Sequence, residues 1–540
     1  MISCIKITNI ILWLKKPLEK RLHFLLLIFF LLATIGVYDS IKNGLLNYAF
    51  YIALFEILTS YVLCLFTENL PFKWRKLFRF LLLLIAFSYT ILNVICEQIY
   101  DQPFNYKFAP ILMQTNLSEA LEFLESYINL KIIIVIISIS FSIILFIKYV
   151  KKVSIFQNRF TQNIVLFIIT ISFILCIRNP LVYKDSFIGK MIAVIQTSSV
   201  PNLKEYQTNT KIVTLGEKTK NIVMIIGESF SKSHSSLYGY EKKTNPQLSS
   251  LVEDGSLFVY NNITSPATST IPSIQSIMST YNSHYHNNIP WYKCVTLPYI
   301  LHIAGYYTYW ISNQSKIGLF DTVTGRYSDL CKESYYVGNK FSGMSRTTLD
   351  EEILPILDTL LIENKNSYNF YFIHLMGSHS NFKKRYPLSF NKFSEYDYEK
   401  YPKHQRENLA SYDNSILYND SIVNEIIQKF HDKEAIIFYF SDHGIDAYES
   451  SSDHIGHAKE NDNKSVEFGK RIPFVIYTSP CYKYKYPYKI NQIINNLNQP
   501  YCTEDIIHSI MDLIDTKFIN QFWEGKSLFS NKTHIKSELN

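Results

Sequence analysis

Polar side chains that could do chemistry stand in this sequence where apolar runs end. The run NIVMII is followed by Glu228 and Ser229, and the run AIIFYF is followed by Asp442 and His443. Continuous apolar strands belong to a mostly parallel sheet that is covered on both faces. Ligands bind such sheets beyond the carboxyl ends of the strands, so we expect these side chains to lie close together.

Two carboxylates and an imidazole are ligands that suit Zn²⁺. An Asp-His pair in a loop is by itself more often solvated, but Glu228 supplies a third ligand from another strand. Three protein ligands with a fourth position open are typical of a catalytic zinc site. The open position would hold a hydroxyl nucleophile whose pKa the metal lowers.

The nucleophile is not obvious from these strand ends. Ser229 follows Glu228 directly, and neighbouring side chains of a strand point to opposite faces. The stretch GESFS is also not a nucleophile elbow, because Ser231 stands where G-x-S-x-G needs glycine. A second source is the hydroxyl-rich segment 264-TSPATSTIPSIQSIMST-280, which leads into a helical pattern. A hydroxyl at the start of that helix would lie at the helix N-terminus, which can bind a phosphate group. The alternative is that the hydroxyl only caps the helix.

The amino-terminal third is built differently. The chain has 540 residues, 47% of them hydrophobic, with a formal net charge of +7. Its early basic residues stand in short clusters between apolar runs, which favours a membrane over a nucleic acid as partner. Five runs predict membrane-spanning helices: 22–39, 45–66, 77–97, 130–149 and 160–177. The basic clusters place the amino terminus inside, so an odd number of spans puts everything after about residue 180 outside.

The outside part begins near residue 219. Its predicted strands alternate with helical patterns at 350–362 and 408–430, which indicates an α/β domain, and the strands are 221–226, 305–311, 368–374, 435–440 and 472–477. Four of the eight cysteines lie in this part, where disulfides persist. We expect them to pair as Cys294–Cys331 and Cys481–Cys502.

Several motifs resemble those of a known family. The segment 227-GESFSKSHSSLYGYEKKTNP-246, the SDHG at 441–444 and the GSH at 377–379 resemble signatures of the membrane-anchored phosphoethanolamine transferases, within the alkaline-phosphatase/sulfatase superfamily. WISNQ at 310–314 and QTNLSEA at 114–120 are similar to further family features. The segment SPATST has no matching C/S-x-P-x-R, so sulfate-ester hydrolysis is disfavoured.

The resemblance implies a fold and a division of the chain. It predicts an N-terminal bundle of five transmembrane helices and a C-terminal α/β alkaline-phosphatase/sulfatase-like domain with a mostly parallel central sheet. The transmembrane domain would cover 1–180, a linker 181–218, and a periplasmic catalytic domain 219–540. The multi-pass chain would lie in a bacterial inner membrane as a monomer, with no nucleic acid as partner.

The resemblance also implies the roles of residues. Zn²⁺ would be held by Glu228, Asp442 and His443. The nucleophile would be Thr268, about forty residues after Glu228 and itself a metal ligand. His379 would contact the phosphate, together with a second histidine. The second histidine would be either His454 or His457, with His457 favoured. The chain departs from the family pattern at Ile445, where the family often has Glu.

The implied reaction transfers phosphoethanolamine from phosphatidylethanolamine to a lipopolysaccharide acceptor. The acceptor is either lipid A or a core sugar, and the transfer proceeds through a covalent phospho-threonine intermediate. Two alternatives remain. One is a glycerophosphotransferase that uses phosphatidylglycerol, and the other is a catalytically inactive membrane-anchored binding protein.

Overall fold

A computed structural model gives the fold of the chain. It describes residues 2–105, 108, 112, 115, 117–149, 158–178, 184–197, 201–206, 212–214, 216–281, 289–316, 322–337, 348–451, 454–518 and 526–529. The chain divides into two compact units. The first contains residues 1–113 and 127–198, and the second contains residues 114–126 and 199–540.

The first unit is helical. Within the described residues, four helical stretches are long and apolar enough to cross a membrane: Arg21–Lys42, Leu46–Asn69, Phe72–Tyr100 and Leu130–Tyr149. The fifth predicted run forms the helix Arg159–Arg178, whose apolar stretch Arg159–Leu175 is shorter. Four of the five predicted spans therefore meet the length and hydropathy that a crossing requires.

Other helices complete the two units. The first unit also contains Phe187–Thr197, and its first helix begins at Ile2 and bends at Arg21. The helix Leu117–Tyr127 falls almost entirely within the second unit. The remaining α-helices of the second unit are Pro246–Glu253, Thr270–Ile277, Leu297–Ile303, Val323–Ser328, Leu354–Glu363, Lys403–Gln428, Asn463–Lys470, Pro480–Lys485, Pro487–Asn496 and Ile506–Leu513.

A 7-stranded sheet forms the centre of the second unit. Its strands are β1 (Asn221–Gly227), β2 (Leu257–Val259), β3 (Tyr307–Ser312), β4 (Glu333–Tyr336), β5 (Asn369–His374), β6 (Ala435–Ser441) and β7 (Phe474–Thr478). Their spatial order is β2-β7-β6-β1-β5-β3-β4. Short strand pairs outside this sheet join Ile212–Thr214 to Thr516–Phe518, Ile263–Thr264 to Tyr501–Cys502, and Asp446–Ala447 to Ile455–Gly456.

The five predicted strands all belong to this sheet, but the sheet is mixed. Strands β6, β1, β5, β3 and β4 pair in parallel. Strand β7 runs antiparallel to both of its neighbours, β6 and β2. An apolar run shows that a strand is buried but carries no information on its direction, so the sequence did not reveal this reversal.

Both faces of the sheet are covered. In β1, Ile222, Met224 and Ile226 pack into one buried apolar cluster, while Val223 and Ile225 pack into another. Successive side chains of a strand point to opposite faces, so a strand buried on both sides must be apolar throughout. This explains the unbroken run that precedes Glu228.

Among the described residues, no sulfur–sulfur bond joins Cys294 to Cys331 or Cys481 to Cys502, so the expected disulfides were wrong. Cys294 and Cys331 instead direct their thiols to the carbonyl oxygens of Pro290 and Tyr327. Cys481 is exposed, whereas Cys502 is half-buried. The expected location outside the membrane suggested disulfides, but sequence spacing did not reveal whether the sulfur atoms would meet.

Candidate metal centre

The ends of β1 and β6 bring three potential metal ligands together. The register aligns Gly227 with Ser441, so the next residues of both strands emerge at the same edge. One ligand atom from each of Glu228, Asp442 and His443 lies within 4.8 Å of the others, and all three residues are buried. The structure therefore brings together Glu228, Asp442 and His443, three of the four residues that were expected to bind the metal.

The imidazole of His443 is oriented as a ligand. Its Nδ1 lies 2.7 Å from the carbonyl oxygen of Gly444, so Nδ1 carries the proton and donates it. Its Nε2 faces the carboxylates, at 3.2 Å from Glu228 Oε1 and 3.6 Å from Asp442 Oδ2. A carbonyl that fixes one ring nitrogen while the other faces the metal position is usual for zinc-bound histidine.

The cluster holds an excess of negative charge. Burial, followed by the charge of Glu228, raises the pKa of Asp442 to about 7. Burial alone would raise the pKa of Glu228 as well, but hydrogen bonding and charge from His443 lower it. Burial alone would lower the pKa of His443, whereas Asp442 and Glu228 raise it to about 9. A proton bound within this cluster thus offsets negative charge that a metal cation would also offset.

One carboxylate oxygen supports a cation at this position. Asp442 Oδ1 accepts the backbone N–H of His443 at 2.7 Å. Asp442 Oδ2 is fully buried and has no hydrogen-bond partner among the residues that the structure describes. A buried carboxylate oxygen without a partner is costly unless a cation balances it. These residues therefore fit a divalent metal with nitrogen and oxygen ligands, such as Zn²⁺.

The hydroxyl at this centre belongs to Thr270, not to Thr268 as predicted. Thr270 Oγ1 donates to Glu228 Oε2 at 3.1 Å and lies 3.3 Å from His443 Nε2. Thr270 is the first residue of the helix Thr270–Ile277, and Ser269 before it is extended. The methyl group of Thr268 lies against Gly469 instead. Counting along the chain identified the right segment but not the hydroxyl that faces the ligands.

Ser229 supports Glu228. Its backbone is left-handed, with φ 58°, so the chain turns sharply after β1. Its hydroxyl donates to Glu228 Oε1 at 2.7 Å, and its backbone N–H donates to Asp442 Oδ1 at 3.3 Å. Ser229 thus orients both carboxylates, as a residue that shapes the turn would.

Gln314 is a site residue whose role was not predicted from the sequence. Its Nε2 donates to Glu228 Oε2 at 3.0 Å and to the carbonyl oxygen of Leu375 at 3.1 Å. The residue follows β3, two strands away from β1. The sequence did contain a pattern that could have identified Gln314, because WISNQ also places polar side chains directly after an apolar strand.

His379 lies in a loop that packs against Glu228. A Cβ on Gly377 would approach the backbone nitrogen of Glu228 to 2.8 Å, and Gly377 has φ 51°. Only glycine permits this close approach. Burial lowers the pKa of His379, despite the opposing charge of Glu228. His379 is therefore placed near the centre as a neutral imidazole.

Of the two histidines left open, His457 faces the centre. Its ring centroid is 4.7 Å from that of His443, and its Nδ1 lies 3.1 Å from the carbonyl oxygen of Thr268. Burial, with the charge of His443, lowers its pKa to about 3. His454 instead directs its Nε2 to the carbonyl oxygen of His457, at 2.6 Å. His454 thus holds the backbone of its neighbour.

Comparison with known proteins identifies the family. The sulfatase family model matches residues 220–516, so the chain belongs to the sulfatase family. Phosphoethanolamine transferase EptC of Escherichia coli O18:K1:H7 is 26% identical over 451 residues, which are 77% of this chain and 76% of that protein. Phosphoethanolamine transferase EptA of Helicobacter pylori is 30% identical over 54% of this chain and 52% of its own length. The resemblance found in the motifs is confirmed.

Solved structures agree with the fold. The periplasmic domain of EptC from Escherichia coli, in complex with Zn, covers 62% of this chain and 91% of that chain, with a TM-score of 0.54 and 26% identity. The integral membrane protein EptA from Neisseria meningitidis covers 95% of this chain and 97% of that chain, with a TM-score of 0.65 and 17% identity. The second match extends the shared fold to the helical unit.

Proposed function

We propose that this protein transfers phosphoethanolamine from phosphatidylethanolamine to a lipopolysaccharide acceptor, with Thr270 as nucleophile. The observation that carries the proposal is the Thr270 hydroxyl at a helix start, against Glu228 and His443. A helix N-terminus presents unpaired N–H groups and a positive dipole end to a phosphate. The identity of the transferred group is inferred from the relatives that are named phosphoethanolamine transferase.

Glu228, Asp442 and His443 would hold Zn²⁺. When bound there, the ion stabilises the negative charge that develops on the hydroxyl oxygen and on the phosphoryl group. The unpartnered Oδ2 of Asp442 supports the assignment, as does the zinc complex of the EptC domain. Ser229 and Gln314 orient the Glu228 carboxylate from two sides.

The chain's own residues would carry the transfer in two displacements. Thr270 Oγ1 forms a bond to the phosphorus of the donor as the bond to the diacylglycerol oxygen breaks, and diacylglycerol leaves with a proton. An acceptor hydroxyl or phosphate oxygen then attacks the same phosphorus, and Thr270 Oγ1 leaves and regains its proton. Two displacements at one phosphorus are the usual consequence of covalent catalysis.

The two histidines would serve as neutral groups. The Nδ1–H of His457 donates to the carbonyl oxygen of Thr268, so its Nε2 is left as an acceptor. With a pKa of about 3, this nitrogen is unprotonated at neutral pH and can accept a hydrogen bond from the attacking acceptor. His379 would contact phosphoryl oxygens from the other side of Glu228.

The remaining features of the proposal concern the setting. The chain would be a multi-pass protein of the bacterial inner membrane, with residues 130–149 and 160–177 as its fourth and fifth spans and residues 219–540 in the periplasm. It would act as a monomer on two lipids. Holding both lipids near the centre would raise their effective concentration.

A transfer assay tests the proposal. The zinc-loaded full chain, in proteoliposomes with labelled phosphatidylethanolamine and lipopolysaccharide, is expected to move labelled phosphoethanolamine and to release diacylglycerol. Thr270→Ala should abolish the transfer, while Thr268→Ala should keep it. Transfer of glycerophosphate from phosphatidylglycerol would instead support the first alternative, and no transfer from either lipid would support a binding protein.

A further inference from the structure

The helix Leu117–Tyr127 is encoded between the third and fourth candidate spans, yet residues 114–126 group with the second unit. They lie outside the residues matched by the sulfatase model, 220–516. Two carboxylates of this helix, Glu122 and Glu125, meet the loop that follows His379. This contact adds an acidic group to the second unit from a distant part of the chain.

Arg385 connects that helix to His379. Its Nε donates to the carbonyl oxygen of His379 at 3.2 Å, and one of its terminal nitrogens donates to that of Ser380 at 2.9 Å. The same terminal nitrogen pairs with the carboxylate of Glu122. The side chains of Arg385 and Glu122 are only 3% and 8% exposed. The guanidinium thus ties the backbone of His379 to a buried carboxylate.

Burial makes this ion pair depend on both partners. When one partner of a buried pair is removed, the other charge stays buried without compensation. The planar guanidinium also fixes the direction of its donors, which an ammonium group does not do. Without Glu122, Arg385 would have to move towards solvent or another acceptor, and the carbonyl groups that it holds would be released.

The other end of the same loop is held independently. Asp350 accepts the backbone N–H groups of Met376 and Gly377, each at 2.8 Å. His379 is therefore fixed from both sides, by Asp350 before it and by Arg385 at its own carbonyl. An imidazole that must meet a phosphoryl group is sensitive to small displacements, since an error of about 1 Å can cost about 100-fold in rate.

We propose that Glu122 is a positioning residue for His379 and acts through Arg385. This inference rests on the proposed function, because it assumes that His379 contacts the transferred group. It makes residues 114–126 a working part of the catalytic unit. Glu125, by contrast, pairs with Lys384 at 2.6 Å on the surface, where ion pairs contribute little.

The first test measures transfer by the zinc-loaded full chain in phosphatidylethanolamine proteoliposomes. Glu122→Gln is expected to lower kcat about 10- to 100-fold, with KM and zinc content changed less than about twofold. The matched control, Glu125→Gln on the same helix, should stay within about twofold of wild type. Unchanged kcat in Glu122→Gln would overturn the inference.

A double variant separates positioning from a general structural role. If Glu122 acts through His379, Glu122→Gln should cause no further loss in a His379→Ala background. Additive losses would contradict the inference. Should Glu122→Gln fail to fold, Arg385→Lys provides the same comparison, because it keeps the charge but loses the fork.

Hydrogen exchange decides the question independently of activity. In Glu122→Gln, the amides of residues 379–385 should exchange faster than in wild type, whereas the amides of residues 369–374 should exchange at the wild-type rate. In Glu125→Gln, both segments should exchange at the wild-type rate. Equal exchange would overturn the inference even in an active enzyme. A wild-type chain that transfers nothing would refute the proposed function, and the exchange result would still show whether Glu122 holds this loop.

Discussion

Two buried groups in the second unit each combine an aspartate with a histidine, and they differ in how the carboxylate oxygens are satisfied. In the first, Asp413 and His234, every carboxylate oxygen has a partner. Asp413 Oδ1 lies 2.6 Å from His234 Nδ1, and Oδ2 accepts the hydroxyl groups of Tyr240, at 2.7 Å, and Tyr398. Satisfied buried networks of this kind hold a fold together.

In the second group, Asp442 and His443, one carboxylate oxygen is not satisfied. Asp442 Oδ2 has no hydrogen-bond partner among the described residues. A second carboxylate, Glu228, lies 3.2 Å from His443, whereas the second carboxylate of the first group, Glu449, lies 3.9 Å from His234. Like charges this close disfavour each other unless a cation lies between them. An aspartate-histidine pair by itself therefore does not mark a metal site. The unpartnered oxygen and the close second carboxylate do.

The largest expected effect separates the two groups by activity. Asp442→Asn should remove the metal and lower transfer by about 10³-fold or more, because the transition state loses several kcal/mol of charge stabilisation. Transfer assays and zinc analysis of the purified chain measure both. In chelator-treated protein the same variant should be at least as stable as wild type, because it removes one of two facing carboxylates.

Asp413→Asn is the matched change in the satisfied group. It should lower the free energy of unfolding by about 3–5 kcal/mol, since it breaks a buried pair and leaves His234 with only the more distant Glu449, at 3.9 Å. Denaturation of the zinc-loaded chain measures this loss. Well below the melting temperature, zinc content and transfer should stay within about threefold of wild type. Loss of zinc with unchanged stability would reverse the assignment of the two groups.

A smaller effect is expected at the residue that supports Glu228. Gln314→Leu removes a donor to the carboxylate, and losses of such outer contacts weaken metal binding by about 10- to 100-fold. Competition with a chelator of known zinc affinity measures the change. Gln428→Leu, at the end of the helix Lys403–Gln428, is the control and should bind zinc as wild type does. Equal zinc affinity in both variants would exclude a supporting role.

The smallest expected effect is on pH dependence. Burial alone would lower the pKa of His234, but Asp413 raises it above its ordinary value. A raised pKa stabilises the folded chain below the unfolded value of about 6.5, and this stability is lost as pH rises through the folded value. His234→Gln should therefore flatten the fall of stability above pH 6.5 in zinc-loaded protein. An unchanged slope would mean that His234 does not titrate in this range.

Much of the fold could be predicted because a strand that is buried on both faces has an unbroken run of apolar residues. The same logic located Glu228, Asp442 and His443, since polar residues that end such runs share one edge. It could not give the direction of strand β7, because packing on two faces is the same for either direction.

The nucleophile and the cysteines could not be assigned correctly from sequence spacing. Thr268 and Thr270 are two residues apart in the same segment, and only the helix start at Thr270 decides which hydroxyl faces Glu228. Disulfide formation depends on the distance and direction of two side chains, and neither follows from a count of residues. The role of Arg385 was invisible for a similar reason, because its partner lies more than 250 residues away in the sequence.

The most direct test of the central claim is to locate the covalent intermediate. The zinc-loaded full chain is incubated with phosphatidylethanolamine without acceptor, quenched and digested, and its peptides are mapped by mass spectrometry. Our account predicts a phosphoethanolamine adduct on Thr270 that persists in Thr268→Ala and is absent in Thr270→Ala. An adduct on Thr268 or Ser229, or transfer that continues in Thr270→Ala, would contradict it.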